Sequence, residues 1–489
     1  MSGSGSSKTT TFLKGVSVTT LFTGLSGVLG LVYFSAMSRL LTKEDFGYFA
    51  ALTGIMAVVG VFSEGGIGAS IIQKKDPTKG FVSTAFTMSF LLALICFAIV
   101  FTFAPFIANL IADDYLTLPL RVMAVGLLLS PFVSVGRAQL YRNLKFSKIG
   151  AINLSSSLMA VLTSVLLAYQ GFGVYSMIAY AIAANIVTCL IFVLTGVKYP
   201  KISIEKEQVK GIVNFGGWLT LSDMFNKMAS LVDRLLLPKL TSIKILGEYT
   251  RPSSFVFNIS GQVSDVIDRV LFPMLSQTQD EKEATRQVFY RAIELLNIFS
   301  IIMAVAFFFN ADLIIRIFFG SEWMSLSVVL QILSVTMIFQ IDNQLVDCFF
   351  RSLNLVRTGF YLRALSLVLN FVAIVIGSKY NVVGIAAAVA IANITVILLR
   401  IIVLGVKIEA SNKTIIGRWF NAWKPAVLPI LVGVVFIMLP NTLILNIICA
   451  SIMVVIIIAE LVLFPKFVGE EYENIAKPIL NKIRIRSIY

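Results

Sequence analysis

The 489 residues are 57% hydrophobic and only 13% charged, with a mean hydropathy of +0.89, which excludes an ordinary soluble protein and describes a polytopic helical membrane protein. The formal net charge of +14 would suit a nucleic-acid binder, but its distribution along the chain ties it to membrane topology instead. There is no histidine, so the usual proton shuttle and the commonest metal ligand are missing, and with Cys96, Cys189, Cys348 and Cys449 scattered singly, no metal site and no cofactor are expected.

A spanning helix needs roughly 20 apolar residues, and about fourteen such stretches can be placed. The first, 12–37, follows Lys8 and Lys14 with no small-residue cleavage site, so it reads as an uncleaved span behind a disordered Ser/Gly-rich start at 1–7. Gly24, Gly27 and Gly30 in it suit close helix packing. Further spans are expected at 47–72, 81–110, 116–136, 149–169 and 173–197. This part is dry. Its one clear buried acid is Glu64, followed by Gly65, Gly66 and Gly68, and it reads either as a protonatable coupling group or as a helix end in the headgroup region.

The next two spans, 211–237 and 246–274, carry polar stripes. Gly216, Thr220, Asp223, Lys227, Ser230 and Arg234 recur at three- and four-residue steps, as do Arg251, Ser254, Asn258, Gln262, Asp265 and Arg269, so each set lies on one helix face. Charges inside a bilayer cost several kcal/mol and usually face a protein interior or a water-filled pathway. Lys227 lies roughly 24 Å into its span at 1.5 Å per residue, past the midplane. Asp223 and Lys227, four apart, can instead simply neutralise each other. Arg269 fits an inner-interface residue paired with Asp265, with Asp268 beside it.

Spans follow at 289–311, 323–350, 358–377, 382–405, 425–440 and 443–465. The tenth carries Gln340, Asp342, Asn343, Gln344 and Asp347, too polar to face lipid, either as part of a ligand site or as polar helix packing. The connection 406–424 places Ile415, Ile416, Trp419, Phe420 and Trp423 on one side of an interfacial helix.

With loops assigned to alternate sides, Arg39, Lys43, Arg121, Lys239, Lys244, Arg316 and Lys379 fall on one side. Lys227, Arg234, Arg251 and Arg269 fall within spans or at their ends, and the rest of the 40 Lys and Arg fall on the other side. The positive-inside rule then places both termini in the cytoplasm. The connections are too short to hold a soluble catalytic domain.

The halves are weakly similar. Arg142, Lys148 and Gly150 match Arg351, Arg357 and Gly359; Gly173 matches Gly384 and Asn185 matches Asn393. R-L-L-T-K-E-D-F-G (39–47) resembles K-L-T-S-I-K-I-L-G (239–247), aligning Gly47 with Gly247. This gives two six-helix lobes, 1–205 and 206–405, followed by a segment 406–489 with the connector, two further helices and a tail. Six is even, so the repeats share orientation, with a polar cleft expected between them. Cations there favour an anionic ligand such as a phosphate, and Asn258, Gln262, Gln340 and Asn343 suit sugar hydroxyls.

S-R-L-L-T-K-E-D-F-G-Y-F (38–49), G-I-G-A-S-I-I-Q-K-K-D (66–76), R-A-Q-L-Y-R-N-L-K-F-S-K-I-G (137–150), G-F-G-V-Y-S-M-I-A-Y (171–180), G-E-Y-T-R-P-S-S (247–254) and V-L-F-P-M-L-S-Q (270–277) occur in that order. Together they resemble the polysaccharide flippases of the multidrug/oligosaccharidyl-lipid/polysaccharide exporter (MOP) superfamily, in the branch of colanic acid and teichuronic acid exporters. The resemblance implies a MATE-like all-α fold and alternating access. It implies a non-enzymatic flippase moving undecaprenyl-diphosphate-linked oligosaccharide from inner to outer leaflet of a bacterial inner membrane, for exopolysaccharide, capsule or O-antigen. A polysaccharide polymerase is the expected partner, and no nucleic acid is.

Asp223, Lys227, Arg234, Arg251, Asn258, Gln262, Gln340 and Asn343 are the candidate cleft residues for the lipid-linked oligosaccharide. Glu64, Asp223 and Asp347 are candidates for H+ or Na+ coupling. An ion-coupled multidrug antiporter of the same superfamily would favour a carboxylate-led cavity without the adjacent cation that Lys227 provides. A membrane enzyme such as a polymerase or ligase would carry a large outer loop or an exposed acidic or His-bearing site.

Overall fold

The computed structural model describes residues 22, 24–74, 77–111, 114–143, 145–197, 199–213, 220, 224, 227, 232–278, 281–440, 442–469, 471–474 and 476–477. The chain divides into two compact units, Met1–Gly247 and Glu248–Tyr489. Among the described residues ten helical stretches are long and apolar enough to cross a membrane, and one of them, Arg357–Lys407, carries two successive helices. The protein is an all-α, multi-pass membrane protein.

The first unit contains α1 (Gly24–Leu40), α2 (Lys43–Glu64), α3 (Ile67–Gln73), α4 (Lys79–Ile111), α5 (Thr117–Arg142), α6 (Phe146–Tyr169), α7 (Val174–Leu194), α8 (206–213) and α9 (Val232–Leu240). It also takes in the first residues of α10 (Ile243–Thr278). The sequence fixes where α2 begins. The Asp45 N–H donates to the Thr42 hydroxyl and the Thr42 N–H donates back to the Asp45 carboxylate, a reciprocal cap that satisfies two free helix-end donors. At the other end Gly65 and Gly66 take φ of +54° and +61°, a backbone that residues with a Cβ adopt only under strain. The expected span 47–72 is therefore two helices, broken at this glycine pair. A side chain at Gly65 would also press on Leu92.

Proline shapes two of the long helices. Pro105 in α4 has no N–H for the Phe101 carbonyl, and Arg121 Nε donates to that carbonyl at 3.1 Å with its guanidinium over the Phe101 ring. Pro131 in α5 likewise frees the Leu127 carbonyl, which accepts from the Ser130 hydroxyl at 2.8 Å. Helix pairs in lipid gain little from the hydrophobic effect and rely on close packing and hydroxyl bonds. Accordingly Gly136 lies under the Phe192 ring, Ser164 donates to the Ser176 carbonyl at 2.7 Å, and the Thr188 and Ser156 hydroxyls meet at 2.9 Å. The segment after α7 is tied down by backbone donors: the Ser203 N–H goes to Thr87 and the Glu205 N–H to Thr84.

The second unit continues α10 and adds α11 (Lys282–Phe309), α12 (Ala311–Ile314), α13 (Ser327–Ser352), α14 (Val356–Gly377), α15 (Asn381–Lys407), α16 (Asn412–Asn421), α17 (Val427–Ile437), α18 (Leu443–Leu463) and α19 (Pro465–Val468). α11 packs along α13, α13 along α15, and α14 along α15, while α16 lies against α11. Ile298, Ile301, Ala304, Val305 and Ile338 form a core that Ala422, Ala426 and Val468 close from the connector and the tail. The connector is a helix, but its apolar residues divide between two faces. Ile415 is buried and Trp419 and Trp423 are half-buried, whereas Ile416 and Phe420 are exposed.

Candidate functional site

The described part of the seventh expected span shows Lys227 exposed and Thr220 half-buried, both helical. Asp223, with Gly216 and Ser230, lies outside the described residues. Arg234 on α9 is half-buried and donates from Nη1 to the Thr53 hydroxyl of α2 at 3.2 Å. A guanidinium carries five donors, and this bond takes one.

Close by in sequence, α2 and the start of α10 touch backbone to backbone within the first unit. A Cβ on Gly47 would collide with the Ile243 carbonyl, and one on Gly247 with the Lys43 carbonyl. Glu44 and Lys244 stand 3.8 Å apart across the same contact. The two glycines aligned in the internal repeat are thus the two that meet, and each touches the residue that the repeat pairs with the other's partner.

Along α10, Arg251 and Ser254 are half-buried and Asn258 and Gln262 exposed. The side chains of Asp265, Asp268 and Arg269 lie outside the described residues. Gln340 on α13 accepts from the Ser260 hydroxyl at 2.7 Å and donates to Thr336 at 3.4 Å.

One charged cluster of the second unit is centred on a residue absent from the candidates above, Arg400. Arg400 of α15 is 2% exposed. Its guanidinium bonds to the Asn343 amide oxygen and to the Asp347 carboxylate, both on α13, and lies over the Phe350 ring. Arg363 of α14 is a second cation on Asp347, at 3.1 Å. The oxygens of Asn343 and Asp347 that a sugar or an ion would use are therefore engaged by arginine. The signal is present, since Arg400 interrupts the apolar run I-L-L-R-I-I inside the expected span 382–405.

Glu64 is a correction. It is the last residue of α2 and exposed, because the helix stops at Gly65, so it is not a buried acid. Among the described residues the buried acids are Glu294, Asp342 and Glu460, all in the second unit. Glu294 of α11 accepts from Arg418 of α16 at 2.5 Å, and Glu471 of the tail lies 3.4 Å from Arg291 and 3.7 Å from Arg418. Outside the spans, the Lys282 ammonium beside Glu409 holds that carboxyl below the usual range by hydrogen bond and charge.

A family model described as polysaccharide biosynthesis protein matches residues 36–329. Among curated relatives, the lipopolysaccharide biosynthesis protein WzxC of Escherichia coli K12 is 24% identical over 63% of this chain and 63% of its own length. The teichuronic acid biosynthesis protein TuaB of Bacillus subtilis 168 is 21% identical over 67% and 68%. The match to WzxC thus spans somewhat under two thirds of that relative. Among solved structures, the lipid II flippase MurJ in an inward closed conformation aligns with a TM-score of 0.71 at 16% identity, over 90% of this chain and 98% of MurJ. An inward-facing multidrug resistance MATE family transporter of the MOP superfamily aligns with a TM-score of 0.62 at 17% identity, over 78% and 94%. At such identities the likeness carries the fold alone, an all-α fold shared with MurJ and with the MATE family transporter.

Proposed function

From the premise that this chain belongs to the polysaccharide biosynthesis protein family, we propose that it is a flippase for lipid-linked oligosaccharide. Its cargo is an undecaprenyl-diphosphate-linked repeat unit, carried from the inner to the outer leaflet of a bacterial cytoplasmic membrane by alternating access, with no catalytic step. The family match over residues 36–329 carries this reading. It is supported by relatives named for lipopolysaccharide and teichuronic acid biosynthesis and by a fold neighbour titled a lipid II flippase.

Two six-helix repeats, 1–205 and 206–405, with a terminal segment 406–489 and both termini cytoplasmic, complete the proposed organisation, and a polysaccharide polymerase is the proposed partner. Lys227 and Arg234 are the proposed contacts for the diphosphate, since guanidinium and ammonium groups bind phosphate oxygens through charge-assisted hydrogen bonds. Asp223, Arg251, Asn258, Gln262 and Gln340 remain proposed sugar and headgroup contacts. Asn343 and Asp347 are better placed to anchor Arg400.

Replacing Lys227 or Arg234 by Ala is expected to leave the protein inserted at unchanged abundance while cell-surface glycan falls several-fold, read by glycan immunoblot of a deletion strain carrying each variant. Normal glycan in both variants removes the proposed phosphate role.

A further inference from the structure

Within the second unit α11 and α13 bring together two buried side chains, Asn297 and Asp342, which are 0% and 1% exposed. The Asn297 amide nitrogen donates to the Ile293 carbonyl at 2.8 Å and to Asp342 Oδ1 at 2.7 Å. An amide has two N–H hydrogens, so both are used, and the bond to a backbone carbonyl fixes which end of the amide is nitrogen. Two acceptors are left over. Asn297 Oδ1 and Asp342 Oδ2 are buried and have no hydrogen-bond partner among the described residues. The Trp419 indole N–H, a neutral donor, also comes up to the Asp342 carboxyl. Both oxygens are closed off from the surface by the packed helices.

The two orphans belong to the two groups already joined by the 2.7 Å bond, and one proton satisfies both. Bound to Asp342 Oδ2, it converts the carboxylate to a carboxylic acid whose O–H donates to Asn297 Oδ1, while the Asn297 N–H keeps its bond to Asp342 Oδ1. The result is a closed ring of two hydrogen bonds between an acid and an amide. We propose that Asp342 and Asn297 form a proton-binding site, filled by one proton taken up from water with the loss of one negative charge and no other change. Two oxygens are far fewer than the roughly six to eight that a calcium ion takes, and they suit a proton.

Charged groups on the elements around this stretch have partners of their own. Glu294 of α11 pairs with Arg418 of α16, Arg291 of α11 with Glu471 of the tail, and Arg400 of α15 and Arg363 of α14 both with Asp347 of α13. Resting on the flippase reading, release and uptake of this proton is the step at which a proton gradient acts on the second unit.

Asp342→Asn tests the ring directly, because its amide reproduces the protonated acid with an N–H in place of the O–H. Infrared difference spectra of the purified full-length protein are expected to show a protonated-carboxyl band that disappears in Asp342→Asn and shifts in Asn297→Val. Identical carboxyl bands in wild type and Asp342→Asn overturn the proposal. If either variant fails to fold, wild-type protein with carbon-13-labelled aspartate gives the same reading: the band must move with the label, and an unmoved band overturns the site. In liposomes, an imposed proton gradient is expected to speed flipping of a lipid-linked sugar by wild type and to leave Asp342→Asn unaffected. A response retained in Asp342→Asn removes the coupling role. No flipping by either protein counts against the transport reading and leaves the infrared result to decide the site.

Discussion

The two units solve the problem of buried polarity in opposite ways. Every buried polar side chain described in the first unit is a hydroxyl, from Ser38 and Ser63 through Thr84, Thr87 and Ser164 to Thr188. The second unit buries Glu294, Asn297, Asn310, Asp342, Arg400 and Glu460. A hydroxyl can donate to a carbonyl of its own or a neighbouring helix, so its burial is self-contained and each loss is small. A buried guanidinium or carboxylate needs a partner supplied by another helix, and its register therefore fixes how those helices pack. Among the described residues the first unit buries hydroxyls alone, whereas the second adds amide and charged groups to buried hydroxyls of its own, from Ser260 to Ser352.

The largest expected effect of breaking this contrast is at Arg400. Arg400→Ala strips Asn343 of its donor and Asp347 of one of two cations, and loss of one partner from a buried ion pair costs about 3–5 kcal/mol. A sharp loss of folded protein in detergent, read by fluorescence-detected size exclusion, is expected. Arg400→Lys, which keeps a cation beside Asp347, should recover part of it. Equal loss in Arg400→Ala and Arg400→Lys would mean that the guanidinium's shape and its bond to Asn343, not its charge, are what matter.

Ser164→Ala should cost far less. Hydrogen bonds between membrane helices average about 0.6 kcal/mol, so the melting temperature is expected to move by only a few degrees at most. A loss as large as that at Arg400 would dissolve the distinction between the units.

The smallest effect concerns the tether between the start of α11 and the end of α15. Glu409 takes a φ of +57° and is held by Lys282, while Arg286 donates to its carbonyl at 3.0 Å. Because its carboxyl is held below the ordinary value, the tether's contribution is complete above about pH 4.3, the unperturbed glutamate value, and fades as pH falls through the depressed one. Proteolytic nicking near 409 should therefore quicken in acid for wild type and be pH-independent, beyond the protease's own profile, in Glu409→Gln.

The sequence made the helical architecture legible because apolar runs of spanning length leave little choice. It also showed the polar run of α13, since Asp342, Asn343 and Asp347 interrupt an otherwise apolar period. What it could not show was pairing across helices. Arg400 stands near the end of α15, and only its packing against α13 distinguishes it from a headgroup arginine. Glu64 went the other way, because hydropathy continues through Gly65 and Gly66 while the backbone does not. The Asn297–Asp342 pair joins α11 to α13 at positions whose common depth no spacing rule supplies.

The meeting of Gly47 with Ile243 and of Gly247 with Lys43 has the form of an isologous interface, in which one patch contacts a copy of itself. Here both copies are in one chain. Such a contact is specified mainly by the absence of a Cβ at two positions, with Glu44 facing Lys244 beside it. The surrounding residues of the two helices are then free to diverge without loosening the point where α2 and the start of α10 touch.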